Sequence, residues 1–252
     1  MTVDYPSAKQ ISGLRMLWKE AFGDSEVFLD AFFEKGFSPR RCRCVTEKDT
    51  VVAALYWFEV TCKEQRFAYL YAVATAKSHR GRGLFSVLLA DTRNLLTETG
   101  FDGILLVPES EDLSRMYEKF SFAACTTITA FSAAAGDLPA EMREIGPAEF
   151  ARLRRQFLPR GAVLQEGEML AFLASQCHFW AGTDFLAVGQ LYDGKLVCPE
   201  FLGNRTAAPG LLRALNVPVG AFRAPGNEQS FAWLLPLHRG CRRPEYFGLA
   251  LD

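Results

Sequence analysis

One stretch of this sequence constrains the fold more than any other. Arg66 to Thr75, rich in aromatic and β-branched residues, reads as a strand and leads to Arg80-Gly81-Arg82-Gly83. Beyond it, Leu84, Phe85, Leu88, Leu89, Leu95 and Leu96 recur at helical spacing. Glycines between a strand and the first turn of a long amphipathic helix have a chemical meaning as well as a steric one. First-turn amides lack intrahelical acceptors, and with the helix dipole they make an anion site. Glycine lets the backbone approach a phosphate closely, and Arg80 and Arg82 add charge-assisted donors. The stretch therefore predicts a phosphate-bearing ligand. Leu84-Phe85-Ser86 does not supply the Gly-Lys-Ser/Thr of a P-loop. The preceding strands form a meander rather than the βαβ unit of a dinucleotide site.

The flanking sequence supplies the rest of an α/β layer. Ser7 and Gln10 read as a capping box for a helix carrying Ile11, Leu14, Leu17, Trp18 and Phe22, which Gly23 closes. Asp24 or Ser25 caps a second helix with Phe28, Leu29, Phe32 and Phe33 on one face. Arg41 to Thr46 and Val51 to Thr61 join Arg66 to Thr75 in a three-stranded meander, separated by the turns Lys48-Asp49 and Lys63-Glu64. After the long helix, Gly103 to Val107 reads as a buried strand, Asp112 to Phe120 as a short helix and Phe122 to Ser132 as a strand. A meander followed by strand–helix–strand implies a mixed, mostly antiparallel sheet with flanking helices, an α/β (α+β) fold. Gly136-Asp-Leu-Pro139 reads as a linker, and a similar order starts again after it. A helix runs from Pro147 to about Phe157 and another from about Glu168 to Cys177. Strands His178 to Gly182, Phe185 to Tyr192 and Lys195 to Gly203 follow, with Asp193-Gly194 as a hairpin turn, then a short helix at Pro209 and further strands ending with Tyr246 to Leu251. The expected division is residues 1–135 and 136–252.

Composition narrows the partners. The chain of 252 residues has 28 Lys and Arg against 29 Asp and Glu, a net charge of −1, and neither half is basic, so bulk electrostatics offers no grip on nucleic acid or an anionic membrane. The longest uncharged stretch, Phe120 to Gly136, falls short of the ~20 apolar residues a spanning helix needs. Seven cysteines, an odd number without CxxC spacing, together with an N-terminus lacking signal-peptide character, predict free thiols and a cytoplasmic setting. Three scattered histidines make no zinc ligand set, so no metal is expected.

Thr75 through Leu89, carrying R-x-x-G-x-(G/A), resembles the coenzyme A pyrophosphate loop of the GNAT N-acetyltransferase superfamily. A second segment, Asp112-Leu-Ser-Arg-Met-Tyr117-Glu-Lys-Phe-Ser-Phe122, resembles that family's "Y-x-k-x-G-F". The likeness spans about Ser7 to Ser132. It implies that Val73, Ala74, Thr75, Arg80, Gly81, Arg82, Gly83, Leu84 and Phe85 bind the cofactor. Ser110 stands in the place of an Asn that often contacts it, and Tyr117 would protonate the departing thiolate. Three residues depart from the pattern: Phe85 replaces the last Gly or Ala of the loop, Lys77 a common Pro, and Ser121 the Gly of "G-F".

The resemblance implies an acetyl-CoA-dependent N-acetyltransferase acting by direct transfer on a primary amine of a small molecule or peptide. The alternative is a non-catalytic acyl-CoA-binding or regulatory module; aminoacyl transfer from tRNA is disfavoured by the neutral charge. A bulge around Val73 would present a backbone N–H to the thioester carbonyl. The general base stays open among Glu59, Glu109, Glu111, a water chain and the C-terminal carboxylate of Asp252. Phe22, Trp57, Phe58, Tyr69 and Tyr71 are candidates for the acceptor side, with Asp24 and Glu26 attracting a cation, although core and sheet packing is the favoured reading of such aromatics. Asn204-Arg-Thr-Ala-Ala-Pro-Gly210 lacks the loop motif, so the second half is expected to be a degenerate GNAT-like domain without its own coenzyme A site.

Overall fold

A computed structural model describes residues 2–251. The chain divides into two compact units: the first runs to Leu106 and takes in Leu234–Arg242, and the second holds Val107–Trp233 and the residues from Arg243 onward.

In the first unit, β1 (Thr2–Asp4), which the sequence reading missed, precedes the capping box, where the Gln10 side chain accepts from Ser7 N–H at 2.7 Å. The box opens a turn that runs into α1 (Ile11–Phe22). Gly23, at φ +78°, ends α1, and Ser25 Oγ accepts from Phe28 N–H to start α2 (Glu26–Ala31), which relaxes into a π-helical turn. Then come β2 (Cys42–Glu47), β3 (Thr50–Cys62), β4 (Gln65–Thr75), α3 (Leu84–Glu98) and β5 (Gly103–Leu106). The turn between β2 and β3 puts Lys48 and Asp49 at positive φ. Neighbouring strands from β1 to β4 pair antiparallel, and β4 pairs with β5 parallel. Trp18 and Phe32, both 1% exposed, pack on Tyr56 and Tyr71 of the sheet at centroid distances of 5.2–5.8 Å. Each such burial contributes roughly 1.5–3 kcal/mol.

The second unit holds α4 (Glu111–Glu118), β6 (Thr127–Ala134), β7 (Met142–Ile145), α5 (Pro147–Phe157), α6 (Gly167–Leu173), β8 (His178–Gly182), β9 (Phe185–Tyr192), β10 (Lys195–Gly203), α7 (Ala208–Ala214) and β11 (Val219–Pro225). Asp193-Gly194 turns with both residues at positive φ, as the hairpin signal requires. Strands β7 to β10 follow one another antiparallel, and β10 pairs with β11 parallel. That repeats the scheme of β1 to β5, strand for strand. The next strand in each sheet breaks the simple order. β6, from the first half of the sequence, lies beside β11, and β12 (Trp233–Pro236), from the second half, lies beside β5. The fold is the expected mixed α/β arrangement, in two sheets.

The expected strand Tyr246 to Leu251 is a correction. Apart from a single bridge from Tyr246 to Ala162, the segment is irregular, although Tyr246, Phe247, Leu249 and Ala250 are buried. Side chains take the place of a ladder. Gln165 accepts from Leu249 N–H and donates to its carbonyl, and its Oε1 also accepts from Arg154. Arg154 grips Glu200 through two bonds of 2.6 and 2.9 Å, and Tyr246 donates its hydroxyl to the same carboxylate. A buried charge pair survives only when its remaining groups are satisfied in this way.

Candidate active site

The glycine loop lies where the sequence places it. After β4, a single turn over Lys77–His79 leads to Gly81 and Gly83, at φ +74° and +73°, and Gly83 caps α3. Both glycines adopt the left-handed conformation that L side chains avoid. They turn the chain so that the first-turn amides of a fifteen-residue helix lie at its open end. The helix is pinned to the sheet. Arg43 of β2, 8% exposed, bonds Asp91 of α3 at 2.6 and 3.1 Å and the Val3 carbonyl of β1. Leu84 is buried and Phe85 half-buried, so the departure at Phe85 is absorbed partly against the protein. Arg80 donates to the Thr75 carbonyl at 3.3 Å, and Arg82 reaches Glu47 at 3.3 Å.

Beside the loop the sheet opens. The parallel register of β4 and β5 runs from Phe67–Gly103 to Tyr69–Leu105, and β4 then continues to Thr75 without that partner. Within the same stretch β4 bulges. Ala74 faces Ala54 and Tyr71 faces Tyr56, so Ala72 and Val73 together oppose Leu55. Ala72 stands at φ +51°, a left-handed conformation costing a residue with a Cβ roughly 1–2 kcal/mol. A bulge takes a residue out of the ladder and re-aims its amide. Val73, Ala74 and Thr75 thus occupy a bulged strand that parts from its parallel neighbour and runs directly into the glycine loop.

Ser110 and Tyr117 belong to the second unit, at the two ends of α4. Ser110 is its N-cap, its Oγ accepting from Leu113 N–H at 3.3 Å. Tyr117 is 8% exposed, with its ring 5.5 Å from that of Phe122. Burial pushes its hydroxyl up to about 12. Ser121, where the family motif carries glycine, sits at φ +69° and so takes the conformation a glycine would take.

Other candidates have structural partners. Asp24 accepts from the Trp18 indole at 2.7 Å, and Glu26 holds Arg15 and Lys19. Phe58 and Tyr71 pack in the Trp18–Phe32 aromatic cluster, while Phe22 is 45% exposed. Glu59 is gripped by both arms of Arg66, at 2.9 and 3.1 Å, and Glu111 pairs with Arg115. Asp252 lies outside the described residues. Among the described residues, no group of three or more His, Cys, Asp or Glu side chains is placed to hold a metal ion, and no helix is long and apolar enough to cross a membrane. Sequence reasoning missed Glu20 and Glu47, whose carboxylates grip the loop at Lys77 N–H and at His79 with Arg82. No local signal could have found them, because each lies more than thirty residues from the loop position it binds.

Comparison with known proteins agrees with this geometry. Residues 2–125 match the family described as an acetyltransferase (GNAT) domain. A GCN5-related N-acetyltransferase from Kribbella flavida superposes with a TM-score of 0.70 at 17% identity, over 94% of this chain and 72% of that one. A GCN5-related N-acetyltransferase from Anabaena variabilis ATCC 29413 gives 0.72 at 14% identity, over 94% and 73%. A tandem GNAT protein from the clavulanic acid biosynthesis pathway gives 0.59 at 11% identity, over 95% and 100%. Among curated proteins no sequence matches. At these identities the structural likeness is one of fold, and it is the acetyltransferase (GNAT) domain match of residues 2–125 that supports acyl transfer in general. Residues 2–125 match an acetyltransferase (GNAT) domain, and the two sheets share the fold of the tandem GNAT protein.

Proposed function

We propose that this protein transfers an acetyl group from acetyl-CoA directly to a primary amine of a small molecule or peptide. The observation that carries the reading is the bulged β4, parted from β5 and continuous with the glycine loop at the start of α3. Bound acetyl-CoA supplies a thioester whose carbonyl carbon accepts the amine lone pair and releases a thiolate, while one proton leaves nitrogen and one reaches sulfur. The amides at Gly81 to Phe85 and the guanidinium of Arg80 hold the diphosphate. The backbone at Val73 to Thr75 orients the thioester and gives its oxygen an N–H donor. Tyr117 holds its proton at neutral pH and donates it to the departing sulfur. In this reading residues 1–135 and 136–252 are the two GNAT-like repeats, and only the first binds coenzyme A. In the second repeat the turn before α7 gives its Asn204 side chain to Thr206, and the linker donates from Gly136 and Ala140 to the Pro209 and Gly210 carbonyls.

Calorimetric titration with acetyl-CoA tests the reading. Binding is expected to be lost on Gly83→Asp, which puts a side chain at φ +73° and a negative charge on the phosphate site. Binding that survives this change removes the loop from the site. Binding without consumption of acetyl-CoA across a panel of amines, peptides and aminoglycosides makes the protein a non-catalytic acyl-CoA module instead.

A further inference from the structure

The loop carries less free positive charge than its arginines suggest. Glu47, the last residue of β2, sets one carboxylate oxygen 2.9 Å from His79 Nε2 and the other 3.3 Å from an Arg82 nitrogen. Because the carboxylate accepts, Nε2 carries the hydrogen. Nδ1 lies 2.8 Å from the Ser78 hydroxyl. The two contacts of Glu47 differ in kind. The bond to His79 is short and is continued to Ser78, so it fixes the carboxylate beside the loop. The contact with Arg82 is single-pronged, longer than a usual charge-assisted bond, and exposed on both sides (45% and 36%). Such a pair is weak and exchanges readily. Arg80, by contrast, rests on a neutral carbonyl.

Resting on the reading of this loop as a coenzyme A site, we propose that Glu47 is an internal counter-ion that competes with the ligand's phosphate for Arg82. It thereby sets the affinity low enough for the spent cofactor to leave. His79 and Arg82 hold the Glu47 carboxyl below its ordinary range, so it stays ionised at neutral pH. Arg82 has five N–H donors and gives Glu47 one bond. A phosphate offers the two-pronged contact that the carboxylate does not, and Arg82 exchanges one anion for the other. Glu47 remains on His79 after the exchange, a like charge close to the bound diphosphate. A carboxylate at that range opposes an anion by about three- to tenfold in affinity at low salt.

The test is a double-mutant cycle on coenzyme A affinity with Glu47→Gln and Arg82→Gln. The amide introduced by Glu47→Gln keeps the shape of the carboxylate, and its oxygen can still accept from His79, while its NH2 cannot accept from Arg82, so loop geometry is kept and Arg82 is released. Glu47→Gln is expected to tighten coenzyme A about three- to tenfold at low salt, with the gain shrinking in strong salt and the melting temperature unchanged. Arg82→Gln is expected to weaken binding more when combined with Glu47→Gln than in the parent, because Arg82 then serves the ligand alone. Weaker or unchanged binding in Glu47→Gln, or an additive cycle, overturns the proposal and leaves Glu47 as an anchor of loop shape. If coenzyme A binds neither the parent nor the variant, while both remain folded by melting, the site reading itself fails and the counter-ion role with it.

Discussion

Ala72 and Ser121 hold left-handed backbone without being glycine, one at the β4 bulge and the other just past Tyr117. At Ser121 the cost has a plain chemical alternative. Ser121→Gly is expected to raise stability by about 1 kcal/mol, read as a shift of the urea midpoint at constant slope. No gain would mean that the serine side chain returns the cost through its own contacts. The departure from the family glycine is legible in the sequence, but the strain is not, because φ is a property of the folded backbone. Tyr117 is the second residue whose meaning changed with its surroundings. With its hydroxyl pushed up to about 12, it is a weaker acid than an exposed tyrosine and is fully protonated at neutral pH. Tyr117→Phe is expected to lower turnover by about a hundredfold or more with acetyl-CoA affinity retained. Unchanged turnover would reduce Tyr117 to a packed aromatic against Phe122.

At the scale of elements, the regular pieces were legible because each carries its own period and its own punctuation. α5, β8, β9 and β10 lie on the residues that periodicity and the turn signals gave them. The C-terminal segment was not legible. Its apolar run reads as a strand, yet its backbone is satisfied by the Gln165 side chain. That exchange depends on Arg154, Gln165 and Glu200 converging from distant parts of the second unit. Gly248 shows how tight the fit is, since a Cβ there would lie 1.8 Å from Glu200 Oε1. Glu200→Gln leaves the Arg154 charge buried without a counter-ion and is expected to cost about 3–5 kcal/mol. Hydrogen exchange should show the amides of Val163 and Leu249 losing protection first. An unaltered exchange pattern would mean that packing of Phe247 and Leu249, not the charge pair, holds the segment.

For the molecule as a whole, burial of ionisable groups predicts an alkaline limit. Burial pushes the Cys44, Cys177 and Cys241 thiols up to about 11 and Tyr117 up to about 12. It also drives Cys42, Tyr56 and Tyr246 well above their ordinary ranges. Each group stays protonated in the fold at a pH where the unfolded chain has ionised. Stability is therefore complete below the unfolded values, ~8.5 for a thiol and ~10 for tyrosine, and is lost as pH climbs past them. Denaturant midpoints are expected to hold near neutrality and fall steadily above pH ~9; a flat profile to pH ~11 would show that these groups are hydrated in solution.

The sequence by itself determined the local periods, the caps and turns, the glycine loop between strand and helix, and through that loop the family resemblance. Those features reside in residues a few positions apart, so the chain states them wherever it folds. Only the tertiary structure decided that β6 and β12 each join the sheet of the other half. It alone placed the extra residue of β4 at Ala72–Val73 and brought Glu47 to Arg82. These depend on pairings between segments remote in sequence. Their energy comes from contacts that exist only once both partners are in place, and no local pattern encodes them.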